Sequence, residues 1–206
     1  MKSDHKILPE KNIFRKYYQS QHDAEQEKLI YKKKLNIFPE LLNSGRDQSI
    51  RYNDFQHIDC SDLWHLGSID FSAVARLYAT LHNTEQQRDK VICQIDTNPQ
   101  NIIYDHRSEK YYLIDFVDWR WEYAEFDLIH FLLFWASVKP GTDFLKISQK
   151  YIQGYKEKRE ISSLRWKNIY PEVEEYFDKR RYFYNKNERI INRDISLNRQ
   201  VLNNLL

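Results

Sequence analysis

Glycine is scarce in this chain. Only Gly45, Gly67, Gly141 and Gly154 occur among 206 residues, and no two are neighbours. Phosphate-cradling loops of the Walker or G-x-G-x-x-G kind need clustered glycines so that the backbone can approach phosphate closely, and both are excluded. Cysteine is scarcer still. Cys60 and Cys93 can neither build a disulfide framework nor fill a zinc site, nothing resembles Cys-x-x-Cys, and both read as small core residues. No apolar run approaches the ~18 residues that would mark a membrane-spanning helix. Residues 1–20 contain no uncharged apolar stretch followed by a small-residue cleavage site, so no secretory signal is visible and a cytoplasmic location is expected. An excess of one charge is missing too. The 32 basic and 30 acidic side chains leave a net charge of +2, so no global field recruits nucleic acid or an anionic membrane.

What is present is a globular composition, 41% hydrophobic and 30% charged, in a chain long enough for one domain or for two small lobes sharing a cleft. Residues 12–18, NIFRKYY, read as a strand from their aromatic and branched content. A helix is expected from about Asp23, its N-cap, to Leu35, with Phe38-Pro39 beyond it as a stop. Between Leu41 and Ile58, turn residues Asn43-Ser44-Gly45 among short apolar stretches predict a hairpin. After Asp70, Val74, Leu77, Tyr78 and Leu81 recur at the spacing of an amphipathic helix. The rhythm then changes. VICQI (91–95), NIIY (101–104) and YYLIDF (111–116) are short apolar runs, the last two separated by the turn DHRSEK. Asp127 to Val138 is apolar nearly all round and reads as a buried helix stopped by Pro140-Gly141, and the remainder reads as helices of mixed polarity. No linker separates the pieces. The switch near residue 60 from strand-rich to helix-rich pattern is the candidate boundary, giving units 1–60 and 61–206.

Three polar residues stand where strands meet loops. Asp96 follows one apolar run, Asn101 opens the next, and Asp115 interrupts the last. Their order is D-x-x-x-x-N and, fourteen residues on, I-D-F. Any one alone is ordinary turn chemistry. Together they match what phosphoryl transfer needs: a carboxylate to hold an acceptor hydroxyl, and oxygen ligands for magnesium, a hard cation held by one or two carboxylates or amides.

The stretch from Gln94 to Trp135 resembles the catalytic segment of the aminoglycoside phosphotransferase and choline/ethanolamine kinase superfamily, usually H-x-D-x-x-x-x-N, a hairpin, I-D-F, and D-L-A opening a helix. Asp96, Asn101, Asp115 and Asp127 are the matching residues, and Leu81-His82 is similar to the family's L-H element. IFRKYY at 13–18 resembles the strand whose basic residue holds nucleotide phosphates. The V-R-x-Y seen there in choline kinases favours Arg15, with Lys16 as the competing register. In the following helix Glu25 and Glu27 both fit the partner of that basic residue, and the distance to Pro39 favours Glu25. The resemblance covers about residues 12–135 and is specific over 94–127.

It implies an α+β, protein-kinase-like fold, with a small strand-containing N-lobe over a mostly helical C-lobe. It also implies an ATP-dependent phosphotransferase with an alcohol group as acceptor, using ATP and Mg2+. In these terms Asp96 orients or accepts from the hydroxyl, Asn101 and Asp115 bind magnesium, and Asp127 braces the catalytic loop. The sequence departs from the pattern at Gln94, where the family has His, and in lacking glycine before Gly45, which leaves little chain for a phosphate-covering hairpin. A degenerate kinase-like binding protein without turnover is therefore the alternative reading.

The acceptor, a small molecule or a glycan, is left open among three classes. Trp119 and Trp135 belong to an aromatic-dense region that could hold a choline-like quaternary ammonium, although Phe134 stands where choline kinases tend to carry Glu. Asp118, Glu122 and Glu125 could take an aminoglycoside, and a sugar is the third class. His82 and His130 read as core histidines, and the basic and aromatic residues of 178–193 as a solvated helix face rather than a nucleic-acid site.

Overall fold

A computed structural model describes residues 5–138, 143–185 and 195–206. The N-terminal part is a four-stranded antiparallel sheet. Strands β1 (His5–Leu8), β2 (Ile13–Tyr18), β3 (Leu41–Asp47) and β4 (Ile50–Gln56) lie in the order β1-β2-β4-β3. Helix α1 (Gln21–Tyr31) crosses between β2 and β3. A hairpin thus precedes the basic strand without any glycine. A single 3₁₀ turn at Pro9–Lys11 closes it, and Asn12 takes the left-handed conformation at φ 52°. Asparagine tolerates that region because its short polar side chain compensates locally.

The β3–β4 hairpin forms, but its turn is at Gln48 (φ 54°) rather than at Asn43-Ser44-Gly45, which lies within β3 beside a bulge between Leu41 and Asn43. Gly45 is there because its partner Tyr52 lays its ring across the strand; a Cβ would sit 2.7 Å from the Tyr52 hydroxyl oxygen. Helix α1 starts earlier than expected, capped by Ser20, whose hydroxyl accepts from the Asp23 N–H at 3.0 Å, and it ends at Tyr31.

Two three-stranded sheets follow. One is β5 (Cys60–Asp62), β8 (Ile102–Asp105) and β9 (Lys110–Leu113); the other is β6 (Gln86–Gln87), β7 (Lys90–Cys93) and β10 (Arg120–Glu122). The β8–β9 pairing closes the expected hairpin around the 105–110 turn. Helix α2 (Phe71–His82) is capped by Asp70, which accepts from the Ser72 and Ala73 N–H groups. Helix α3 spans Ala124–Val138, and every residue from Ala124 to Ser137 is buried, as its all-round apolarity requires. It begins three residues before Asp127, placing that carboxylate in its first turn; the stop expected at Pro140-Gly141 lies outside the described residues.

Helices α4 (Phe144–Lys156), α5 (Ser163–Asn185) and α6 (Ser196–Asn203) complete the chain. Gly154 lets α4 lie directly on α2: a Cβ would meet the Ser72 Cα at 2.5 Å. Of the basic and aromatic stretch at 178–193, residues 178–185 end α5 and residues 186–193 lie outside the described residues. One continuous core, with Tyr78, Phe116, Phe131, Tyr151 and Trp166 among its largest members, runs under both parts. The two cysteines differ from expectation in one case: Cys93 is buried, whereas Cys60 is exposed because β5 is an edge strand.

Candidate active site

The site is assembled where the N-terminal sheet meets the β8–β9 hairpin. On β2 successive side chains point to opposite faces. Arg15 goes one way: its guanidinium makes a paired contact with Asp54 (Nε to Oδ1 2.7 Å, Nη2 to Oδ2 2.9 Å) and lies 3.8 Å over the Tyr52 ring. Asp54 holds the Arg15 guanidinium well above its usual range. Lys16 goes the other way, into the cleft. Its Nζ donates to Glu27 Oε2 at 2.9 Å and to Asp115 Oδ1 at 2.8 Å. Burial pulls the Lys16 ammonium down, and the charges of Glu27 and Asp115 more than reverse it. The preference for Arg15 and Glu25 is therefore not what the geometry supports. Glu25 sits half-buried on another face of α1 with Lys28 3.8 Å away.

Glu27 is the hub of this arrangement. Besides Lys16, its carboxylate accepts from the Tyr18 hydroxyl and, at 3.0 Å, from the Phe116 N–H. It ties α1 and β2 to the I-D-F segment. Asp115, between Ile114 and Phe116, holds φ at 63° and keeps its side chain 43% exposed. A non-glycine residue with positive φ is uncommon, and such strain concentrates at ligand sites.

Asn101, Lys16, Glu27 and Asp115 line one cavity of about 420 Å³, walled by Phe14 and Phe55. That volume suits a small-molecule ligand. Asn101 Nδ2 donates to the Asp96 carbonyl at 2.9 Å, and the Ile114 N–H donates to the Asn101 carbonyl at 2.9 Å, so Asn101 links the Asp96 loop to the residue before Asp115. Cys60 stands at the edge of the same cavity.

Asp96 lies at the end of a strained turn. The Asp96 N–H donates to the Gln94 carbonyl at 2.9 Å around Ile95, whose φ is 71°; this is the rare γ-turn, costly for a β-branched residue. Asp127 holds it in place, its Oδ2 accepting from the Gln94 N–H at 2.8 Å and its Oδ1 from the Ile95 N–H at 2.9 Å. Behind them, fully buried His82 lies 3.2 Å from Asp127 and 2.8 Å from the Tyr155 hydroxyl.

His82, Cys93 and Asp127 each bring one ligand-capable atom within 4.8 Å of the others. With both Asp127 oxygens accepting from backbone and burial pushing the Cys93 thiol up, the cluster serves as a hydrogen-bonded brace. Gln94, also fully buried, takes the Tyr78 hydroxyl at Oε1 (2.8 Å) and donates Nε2 to the Ile114 carbonyl (2.6 Å). It bolts the Asp96 loop to the residue before Asp115. Thr97 Oγ1 is 2.9 Å from His130 Nδ1, and burial, with the Arg180 charge, lowers His130 to about 3.

The two tryptophans are held by separate contacts. Trp135 is buried, edge-on to Phe71 at 5.0 Å and stacked on Phe131, because α3 has no polar face to expose. Trp119 donates Nε1 to the Gln26 carbonyl at 2.9 Å, pinning the loop after I-D-F to α1. Tyr176, whose ring stands 5.3 Å from that of His130, has no part in the sequence reading, and Arg180, read there within 178–193 as part of a solvated helix face, is partly buried. Arg180, on α5, forms an ion pair with Asp118 and donates Nε to the Tyr176 hydroxyl at 3.0 Å. Both lie well beyond the 94–127 segment, in a stretch of mixed polarity that leaves no periodic signal.

No protein-family model and no curated protein matches the sequence. Solved structures do. A choline kinase, LicA, from Streptococcus pneumoniae superposes over 96% of this chain and 86% of its own, with TM-score 0.66 at 15% identity. An aminoglycoside-3'-phosphotransferase of type VIII covers 80% of this chain and 85% of its own (TM-score 0.58, 14% identity). Aminoglycoside phosphotransferase APH(3'')-Id from Streptomyces rimosus, solved with ADP and streptomycin, covers 85% and 92% (TM-score 0.63, 8% identity). The chain is folded as these phosphotransferases are, in the protein-kinase-like α+β architecture.

Proposed function

We propose that this chain is an ATP-dependent phosphotransferase that moves the γ-phosphoryl group to an alcohol of a small molecule or glycan. The observation that carries the proposal is the convergence of Lys16, Glu27, Asn101 and Asp115 on one cavity, with the Asp96 loop fastened to Asn101 beside it. Lys16 is the cation that meets phosphate oxygens, and Glu27 sets its position. Asp115, half-exposed, and the Asn101 amide are oxygen donors of the kind magnesium takes, so the residues present fit the ion. When bound, magnesium neutralises phosphate charge. Asp96 accepts the proton of the acceptor hydroxyl as the new O–P bond forms and the bond to the nucleotide's β-phosphate oxygen breaks. The division at residue 60 and a cytoplasmic location, where ATP is available, belong to the same reading.

The test is ATP consumption over a panel of alcohols together with melting in ADP and magnesium. Asp96→Asn should lower kcat by about 10²-fold or more while the ADP-dependent rise in melting temperature stays. If wild type and Asp96→Asn are equally inert on every acceptor while both bind nucleotide, the chain is a kinase-like binding protein without turnover.

A further inference from the structure

The β1–β2 hairpin lends four residues, His5, Ile7, Phe14 and Lys16, to the wall of the cavity that Asp115 also lines. Directly paired residues of an antiparallel hairpin project to the same face, and their chain neighbours project to the other. Ile7 pairs with Phe14 and His5 pairs with Lys16, whereas Lys6 pairs with Arg15 on the face turned away. The lining residues therefore stand in two rungs.

The rungs face different parts of the cavity. The Ile7–Phe14 rung is the one nearer the hairpin turn, where the His57 N–H donates to the Asn12 carbonyl at 3.0 Å and fastens the turn to the segment after β4. Phe14, Phe55 and Ile58 make that part apolar, as a nucleobase requires. The His5–Lys16 rung lies one strand repeat further from the turn, and from it Lys16 reaches Glu27 and Asp115. With Lys16 as the cation that meets phosphate, His5 roofs the phosphate end.

The turn of the hairpin cannot serve there. It lies at the other end, Pro9 has no N–H to offer, and the Asn12 N–H is taken by the Pro9 carbonyl at 3.1 Å. His5 is placed to act instead. It is exposed, its ring stacks on Phe14 with centroids 5.4 Å apart and planes 28° from parallel, and among the described residues its ring nitrogens meet no hydrogen-bond partner. Either tautomer of an imidazole carries a ring N–H, and a donor whose plane is already set by an aromatic neighbour binds an anionic oxygen with little ordering cost.

We propose that His5 is a phosphate-binding residue of the nucleotide site, its ring N–H donating to a phosphate oxygen beside Lys16 while Phe14 fixes the plane of the ring. The inference rests on the phosphotransferase reading. It deepens that reading by naming a side chain that does what clustered glycine amides do in other phosphate loops.

Calorimetry with magnesium-ADP and with adenosine, at one pH and ionic strength, separates phosphate contacts from base contacts. His5→Phe keeps a ring on Phe14 and removes both nitrogens. It should weaken magnesium-ADP about tenfold and leave adenosine within about twofold of wild type. His5→Arg can stack on Phe14 and donate, and should recover most of the ADP affinity. That rescue decides the matter even where adenosine binds too weakly to titrate. Melting temperatures of the nucleotide-free variants should match wild type, because the side chain is exposed. Unchanged ADP affinity in His5→Phe, equal weakening of ADP and adenosine, or failure of arginine to rescue overturns the inference and leaves the kinase reading in place. If wild type binds neither ligand, the inference falls together with that reading. ADP binding that depends on His5 in a chain inert on every acceptor upholds the inference and removes turnover instead.

Discussion

Lys16 Nζ lies 2.8 Å from Asp115 Oδ1, joining residues 99 apart in sequence across the cleft between the N-terminal sheet and the I-D-F segment. The same ammonium holds Glu27 on α1. Its neighbour Arg15 forms an equally close pair with Asp54 on the opposite face of the sheet. Both basic residues hold a buried carboxylate, and the proposed function separates them by giving nucleotide contact to Lys16 alone.

Replacing each with methionine tests that separation. Both variants strand a carboxylate that is almost fully buried, Glu27 in one and Asp54 in the other, and each should lose about 3 kcal/mol of stability. Only Lys16→Met should also abolish the extra melting temperature conferred by magnesium-ADP. Thermal melts with and without nucleotide read both effects, and a nucleotide response lost in Arg15→Met but kept in Lys16→Met would reverse the assignment.

Gln94→Glu is nearly isosteric and changes one thing. The amide donates to the Ile114 carbonyl at 2.6 Å and accepts from Tyr78; a carboxylate can accept but cannot donate. The Ile114 oxygen would face a buried charge. Loss of about 2 kcal/mol in urea unfolding and a fall in kcat are expected, since the Asp96 loop and Asp115 lose their direct tie. Gln94→His restores a donor, and should recover more activity than Gln94→Glu does.

How much of this was legible in the sequence follows from where each signal lives. The 94–127 segment could be read because its chemistry-bearing residues are punctuated by turns and short strands; in the structure the Asn101 side chain donates to the Asp96 carbonyl and the Ile114 N–H donates to the Asn101 carbonyl. The choice between Arg15 and Lys16 could not be read from a strand rich in aromatics on both faces, because a one-residue slip exchanges every side chain between faces. The register is set by long-range pairing of Lys16 with Asn53 and Arg15 with Asp54. Glu27 did leave a trace: Ala24, Glu27, Ile30 and Tyr31 are the buried stripe of α1, at helical spacing, and Glu25 falls off it. Trp135 was misplaced for the converse reason. An all-apolar helix has no polar face to orient it, so only packing against Phe71 and Phe131 reveals that the ring is core.

Acid should weaken the fold through His130. Its ring is enclosed by Phe126, Phe134, Tyr176 and Phe177, its Nδ1 meets Thr97, and the Arg180 charge also bears on it. Burial lowers the folded-state value to about 3, below the ~6.5 of an unfolded histidine. The unfolded chain therefore binds more protons across that window. The His130 contribution is complete above pH ~6.5 and is lost as pH falls toward ~3, at up to about 1.4 kcal/mol per pH unit. Urea midpoints of wild type and His130→Phe between pH 7 and pH 5 should converge as acid removes the histidine's term. Parallel curves would show that other groups carry the acid sensitivity.

Asp115 offers the sharpest separation of charge from backbone. At φ 63° most side chains are strained, but asparagine adopts the left-handed region almost as readily as aspartate. Asp115→Asn therefore keeps the turn and removes one charge, while Asp115→Ala adds a backbone cost of about 1 kcal/mol. Lys16 retains Glu27 in either variant, so the sheet contact survives. A ligand present at about 100 times its Kd stabilises the native state by roughly 2.7 kcal/mol. With magnesium and ADP at such a concentration, wild type should show that gain and ADP alone much less. In Asp115→Asn the difference between the two conditions should vanish while the response to ADP alone persists. Should magnesium still add its full increment in Asp115→Asn, the ion is held by other oxygens and Asp115 serves to anchor Lys16.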